Sequence, residues 1–229
     1  MQQAKPLGVK AVILAGGLGT RLGDLTKTLP KPMVEVNGKP FLEHLIAYLK
    51  RLGISYFIVS VGYRKEAIID YFGDGSKFGV QIEYAVEQKP SGTAVGVKLA
   101  SAKAGKEFFL LNGDSFVEFD PLEMLAIMKK QRAKCVITVN QETEEKNNLR
   151  IENGKIIEYH KGGKGMEYMN CGVCLLSKEC IPLLASTGSY EESLFSSLIK
   201  TNELSFCKVG NCLDMGTLDG LEKARGKLK

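Results

Sequence analysis

The sequence predicts an α/β fold, with a mainly parallel sheet and helices on both faces. Short β-rich apolar runs alternate with segments whose apolar residues recur at helical spacing. The first run, residues 9–15 (VKAVILA), is nearly continuous, as a strand buried on both faces requires. Strands that alternate with helices return by right-handed crossovers, which lay the strands parallel.

Taken in order, residues 9–15 form the first strand. Leu42, Leu45, Ile46 and Leu49 mark a helix over 41–52, and Gly53 stops it. A strand at 56–61 and a helix at 64–72 follow, then a strand at 80–86, a helix at 93–104 and a strand at 108–111. In the second half, residues 135–140 read as a strand, and 149–160 as a hairpin around Asn153-Gly154, a dipeptide suited to a tight turn. A strand at 169–176, a helix at 189–200, a strand at 204–209 and a helix at 217–227 complete the chain.

With 229 residues, 44% hydrophobic and 25% charged, the chain matches a soluble globular protein large enough to bury a full core. Roughly 150 residues per domain makes one large domain the default, and no linker, repeat or low-complexity block divides it. The net charge of +5 suits anionic small molecules, and without a basic run it is no nucleic-acid signature. The opening apolar run is too short for a signal peptide or a membrane span, and six cysteines are too few for a disulfide scaffold. These observations predict a cytoplasmic protein with no membrane or nucleic-acid partner.

The most informative stretch is Leu14-Ala15-Gly16-Gly17-Leu18-Gly19-Thr20-Arg21-Leu22, directly after the first strand. Its glycines allow close backbone approach, so successive N–H groups can cradle phosphate. It is not a dinucleotide fingerprint, since Leu22 stands where the third glycine belongs. It is not a Walker A loop, since no Gly-Lys-Ser/Thr follows. Pro30-Lys31-Pro32-Met33 lies just downstream, which lets Arg21 and Lys31 flank the loop and neutralise a triphosphate.

AGGLGTRL followed by LPKPM and Gly38-Lys39-Pro40 resembles the opening of the sugar-1-phosphate nucleotidyltransferases. Gly92-Thr93-Ala94, Leu111-Asn112-Gly113-Asp114, Asn170-Cys171-Gly172 and Asp214-Met215-Gly216-Thr217 extend the resemblance along nearly the whole chain, most closely to short heptose-1-phosphate guanylyltransferase-type members. The resemblance implies a Rossmann-like fold of the nucleotide-diphospho-sugar transferase type. Residues 1–115 would form its nucleotide-binding half and 116–229 its sugar-phosphate-binding half. Leu14, Ala15, Gly16, Gly17, Gly19, Thr20, Glu87, Gly92 and Thr93 would bind nucleotide, and Arg21 and Lys31 would carry catalysis.

Asp114 ends a buried strand at its carboxyl edge, and Asp214 precedes the closing helix. Alone, each also serves as a turn residue or helix cap. In the resembled family, aspartates at these two motif positions hold the metal, implying Mg²⁺ as cofactor. The resemblance places Lys161 on the sugar phosphate and Asn170 and Glu191 (or Glu192) on sugar hydroxyls. His160 stands where the family has a glutamate, a departure that bears on sugar contact.

Glu87 lies five residues before Gly92, a spacing that resembles the base-reading position of the family. A carboxylate only accepts hydrogen bonds, which suits guanine or uracil and poorly suits cytosine. The expected activity is nucleotidyl transfer from GTP to a sugar 1-phosphate such as D-glycero-D-manno-heptose 1-phosphate. A UTP- or dTTP-dependent hexose or amino-sugar enzyme, or a non-catalytic sensing relative, are the alternatives. Self-association into a homo-oligomer is left open. Cys171 and Cys174 are three apart on a strand, so they point to opposite faces and cannot share a metal. His44, Met124 and Met128 read as structural.

Overall fold

The computed structural model describes residues 5–17, 29–141, 146–160 and 165–228. Gly19, Thr20, Arg21 and Lys161 lie outside the described residues.

The first half builds strands β1 (Lys10–Leu14), β2 (Glu35–Val36), β3 (Lys39–Pro40), β4 (Tyr56–Val61), β5 (Gln81–Val86) and β6 (Glu107–Asn112). Helices α1 (Phe41–Arg51), α2 (Lys65–Phe72) and α3 (Thr93–Ser101) connect them. The second half adds β7 (Ser115–Val117), α4 (Pro121–Gln131), β8 (Cys135–Asn140), β9 (Leu149–Glu152), β10 (Lys155–Tyr159), β11 (Met169–Ser177), α5 (Tyr190–Lys200), β12 (Leu204–Lys208), β13 (Cys212–Asp214) and α6 (Leu218–Lys227).

The central sheet runs β12-β8-β11-β6-β1-β4-β5. Every neighbouring pair is parallel except the two made by β11, which is antiparallel to both β6 and β8. This is the expected mainly parallel α/β sheet, and its strands from both halves of the chain are continuous. One face packs under α1, α2, α4 and α6 through Leu45, Ile68, Met124 and Leu221. The other packs under α3 and α5 through Val97 and Leu194. The two faces explain why β1 has no polar side: Ala11 and Ile13 belong to one core, Val12 to the other.

The same alternation separates the cysteines. Cys171 sits in one core and Cys174 in the other, so they do not converge, as the strand period required. All six cysteines are free thiols, and no group of three or more metal-ligating side chains occurs among the described residues. Met124 and Met128 are buried, and His44 Nε2 bonds Val36 O at 2.8 Å.

Helix α4 and two short strand pairs are among the features that go beyond the expected set. Helix α4 begins at Asp120, whose side chain accepts from Leu122 N, with Pro121 in its first turn. Asn37-Gly38 turns β2 back onto β3 with both residues at positive φ, the same device as Asn153-Gly154 between β9 and β10. The third is the antiparallel pair β7–β13, which joins segments remote in the chain. No helix among the described residues is long and apolar enough to cross a membrane.

Candidate active site

The chain leaves β1 to build β4 and β5 on one side and then crosses to β6 on the other. Such a reversal opens a crevice beyond the carboxyl ends of the strands. Leu14 is in register with Ser60 of β4 and Asn112 of β6, so the Gly16 turn, Glu87 and Asp114 all emerge at that edge.

Backbone bonds pin the turn after β1. Ala15 N–H donates to Ser60 O at 2.8 Å, and Gly113 N–H donates to Leu14 O at 2.8 Å. Gly113 is tight against β1, because a Cβ there would lie 2.5 Å from Leu14 O. The Asn-Gly-Asp segment therefore sits against the glycine turn with no room for a side chain, which places Asp114 next to the 3-10 turn Lys31–Met33. Lys31 Nζ reaches Asp114 Oδ2 at 3.2 Å, with the two side chains 11% and 25% exposed. A charge-assisted contact this shielded is stronger than an exposed pair.

The β7–β13 pair brings in the second carboxylate. Asp214 is opposite Ser115, and Met215 N–H donates to Asp114 O at 2.8 Å. Asp214 Oδ1 accepts from Gly216 N at 2.7 Å. Behind it, α6 approaches so closely that a Cβ on Gly220 would lie 1.7 Å from Asp214 O.

On the other flank, Glu87 follows β5 and is half-buried. Ser60 Oγ donates to Glu87 Oε1 at 2.9 Å. Burial pushes the carboxyl above its ordinary value, and the Ser60 bond opposes that rise.

Gly92 has φ +91°, and a Cβ there would meet Gly188 O at 2.3 Å. The loop it opens is laced to the start of α5: Ala94 N–H donates to Gly188 O at 3.0 Å, and Gly188 N–H to Ser91 O at 2.9 Å. Thr93 Oγ1 accepts from Tyr190 N at 3.0 Å. Glu191, one residue on, bonds the Ser189 hydroxyl that caps the same helix. The structure thus joins Thr93 and Glu191, which the sequence reading assigned to different substrates.

Asn170 sits where β11 bulges. Its Oδ1 accepts from Gly172 N at 3.2 Å and its N–H donates to Asn148 Oδ1 at 2.9 Å. A Cβ on Gly172 would lie 2.8 Å from Asn112 Nδ2, so the Asn-Cys-Gly and Asn-Gly-Asp motifs pack on each other. His160 is exposed, its N–H bonded to Asn148 O at 2.9 Å. Ser60 is the residue sequence reasoning passed over; its one signal is a hydroxyl inside the apolar run Phe57–Val61.

The nucleotidyl transferase family model matches residues 10–150. The chain is 35% identical over 192 residues to a D-glycero-alpha-D-manno-heptose 1-phosphate guanylyltransferase of Campylobacter jejuni, covering 81% of this chain and 85% of that one. It is 30% identical over 228 residues to a protein of the same name from Aneurinibacillus thermoaerophilus, covering 96% and 99%. The crystal structure of HddC from Yersinia pseudotuberculosis complexed with GMP-PN superposes with a TM-score of 0.82 at 28% identity, covering 96% of this chain and all of that one.

Proposed function

We propose, from the premise that this chain belongs to the nucleotidyl transferase family of sugar-1-phosphate nucleotidyltransferases, that it transfers guanylyl from GTP to D-glycero-α-D-manno-heptose 1-phosphate. Pyrophosphate is the second product. The observation that carries the base assignment is Glu87, a carboxylate held by Ser60 at the carboxyl end of β5. As an acceptor it matches the N1–H and 2-amino donors of guanine. The guanylyltransferase relatives support the same base, and the UTP- or dTTP-dependent alternative is not favoured.

A phosphate oxygen of the sugar 1-phosphate attacks the α-phosphorus, the new P–O bond forms, and the bond to the bridging oxygen of pyrophosphate breaks. The attacking oxygen is already anionic, so no general base is needed. The chain's work is to hold two polyanions in line and offset the charge that grows on pyrophosphate. In this reading the turn at Gly16 and Gly17 holds phosphate through its N–H groups, and Lys31 and Arg21 neutralise it. Residues 1–115 hold the nucleotide and 116–229 the sugar phosphate, through Lys161, Asn170, Glu191 and His160.

Asp114 and Asp214 would hold Mg²⁺. The fit rests on their chemistry: two carboxylates at one end of the antiparallel β7–β13 pair, the first already facing a cation at 3.2 Å, suit an ion that takes one or two carboxylates and completes its shell with phosphate and water. When bound, the ion supplies charge neutralisation of the phosphates.

The test is pyrophosphate release with GTP, UTP, CTP, dTTP and ATP against a panel of sugar 1-phosphates. GTP with the heptose 1-phosphate is expected to give the highest kcat/KM. Turnover with UTP or dTTP in place of GTP would overturn the base assignment, and silence across the panel would overturn the activity.

A further inference from the structure

Ser60 is fully buried, in a strand whose other buried residues, Phe57, Ile58, Val59 and Val61, are all apolar. A hydroxyl in such a place costs free energy unless it is bonded, and packing alone would be served by alanine. Its bond goes to Glu87 Oε1, at 2.9 Å. That oxygen is enclosed: a Cβ on Gly16 would lie 2.5 Å from it, and one on Gly96 2.9 Å from it. The main chain at both ends of the contact is fixed as well. Ser60 O accepts from Ala15 N, and Glu87 N–H donates to Val61 O, each at 2.8 Å. Oε2 has no hydrogen-bond partner among the described residues.

We propose that Ser60 is a positioning residue for nucleotide selection: by holding Oε1, it presents Oε2 as the acceptor for a base N–H. The inference rests on Glu87 being the base contact proposed above. Without the hydroxyl, Oε1 keeps its close neighbours Gly16 and Gly96 but loses its hydrogen bond, so the carboxylate samples more orientations, and binding must then pay the entropy of ordering it. The larger effect is expected at the base end, because the bond Ser60 itself makes to the phosphate turn is a main-chain one, Ser60 O accepting from Ala15 N.

The experiment compares wild type, Ser60→Ala and Glu87→Gln in steady-state pyrophosphate release. KM for GTP is measured alongside the inhibition constant of inorganic tripolyphosphate, which has no base. Ser60→Ala is expected to raise KM for GTP about tenfold with kcat unchanged, the mark of lost uniform binding, and to leave tripolyphosphate inhibition as in wild type. An unchanged KM for GTP in Ser60→Ala, or a parallel weakening of tripolyphosphate, would overturn the proposal. Glu87→Gln separates the two claims. A wild-type KM for GTP in that variant removes Glu87 as the base contact, whereas a raised KM there with none in Ser60→Ala removes Ser60 alone.

Discussion

Lys31 Nζ lies 3.2 Å from Asp114 Oδ2, linking the turn after Pro30 to the loop that leaves β6. The contact places a cation and a carboxylate side by side at the switch in strand order, where the proposed reaction would hold a polyphosphate and its counterion. In isolation Lys31 is an ordinary loop lysine and Asp114 an ordinary turn residue. In the proposed reaction their meeting would give each a role in charge neutralisation.

Asp114→Asn is expected to lower kcat by about 10²- to 10³-fold, the cost typical of removing one preorganised electrostatic group. The amide oxygen can still accept from Lys31, so unfolding free energy should fall by only about 1 kcal/mol. Steady-state kinetics with urea unfolding checks both, and wild-type turnover in this variant would remove Asp114 from the metal site.

Lys31→Met keeps the length of the side chain and removes its charge. Transition-state stabilisation should drop, seen as a fall in kcat/KM of about 10²-fold or more. Lys31→Arg should recover only part, because a planar fork does not replace a point charge on a 3-10 turn. Full recovery by arginine would show that charge alone suffices there.

Glu87 ionises above the ordinary glutamate range because it is buried. With Glu87 reading the base as proposed, recognition would need the ionised acceptor, so affinity for GTP should hold at neutral pH and weaken as pH falls through this raised pKa, before ordinary surface carboxylates protonate. A pH series of KM for GTP reads the effect, and in Glu87→Gln that pH step should vanish.

Thr93→Val keeps the shape and removes the acceptor for Tyr190 N–H. The link between the Gly92 loop and α5 should loosen, with a stability loss of about 1 kcal/mol and a higher KM for the sugar 1-phosphate. Thr93→Ser should restore both. A KM change confined to GTP would instead place Thr93 with the nucleotide alone.

Gly220→Ala sets two effects against each other. Alanine is the better helix former by about 1 kcal/mol. Yet its Cβ would meet Asp214 O at 1.7 Å, and overpacking of that kind costs about 1–3 kcal/mol. The clash should win, lowering Tm and displacing Asp214, so kcat should fall as well. A raised Tm with unchanged kcat would show that α6 shifts freely.

Much of the fold was legible because its signals are local. The apolar run of β1 specified a strand covered on both sides, and strand–helix alternation specified parallel crossovers. Asn153-Gly154 specified its hairpin, because a two-residue turn needs positive φ at both positions. Asn37-Gly38 carried the same signal, but its strands are two residues each, too short to show a period. Helix α4 carries local signals of the same kind, the Asp120-Pro121 cap and the four-residue spacing of the buried Met124 and Met128.

By itself the sequence determined the order of elements, the glycine-rich turn after the first strand and the residue types available for chemistry, since each depends on neighbours in the chain. The tertiary structure decided which of them meet. Asp214 comes beside Asp114 through the β7–β13 pair, the Gly92 loop is stitched to α5, and Ser60 lies under Glu87 because β4 and β5 run in register. These contacts join residues remote in sequence, and their geometry follows from sheet order and close packing, which no local pattern encodes.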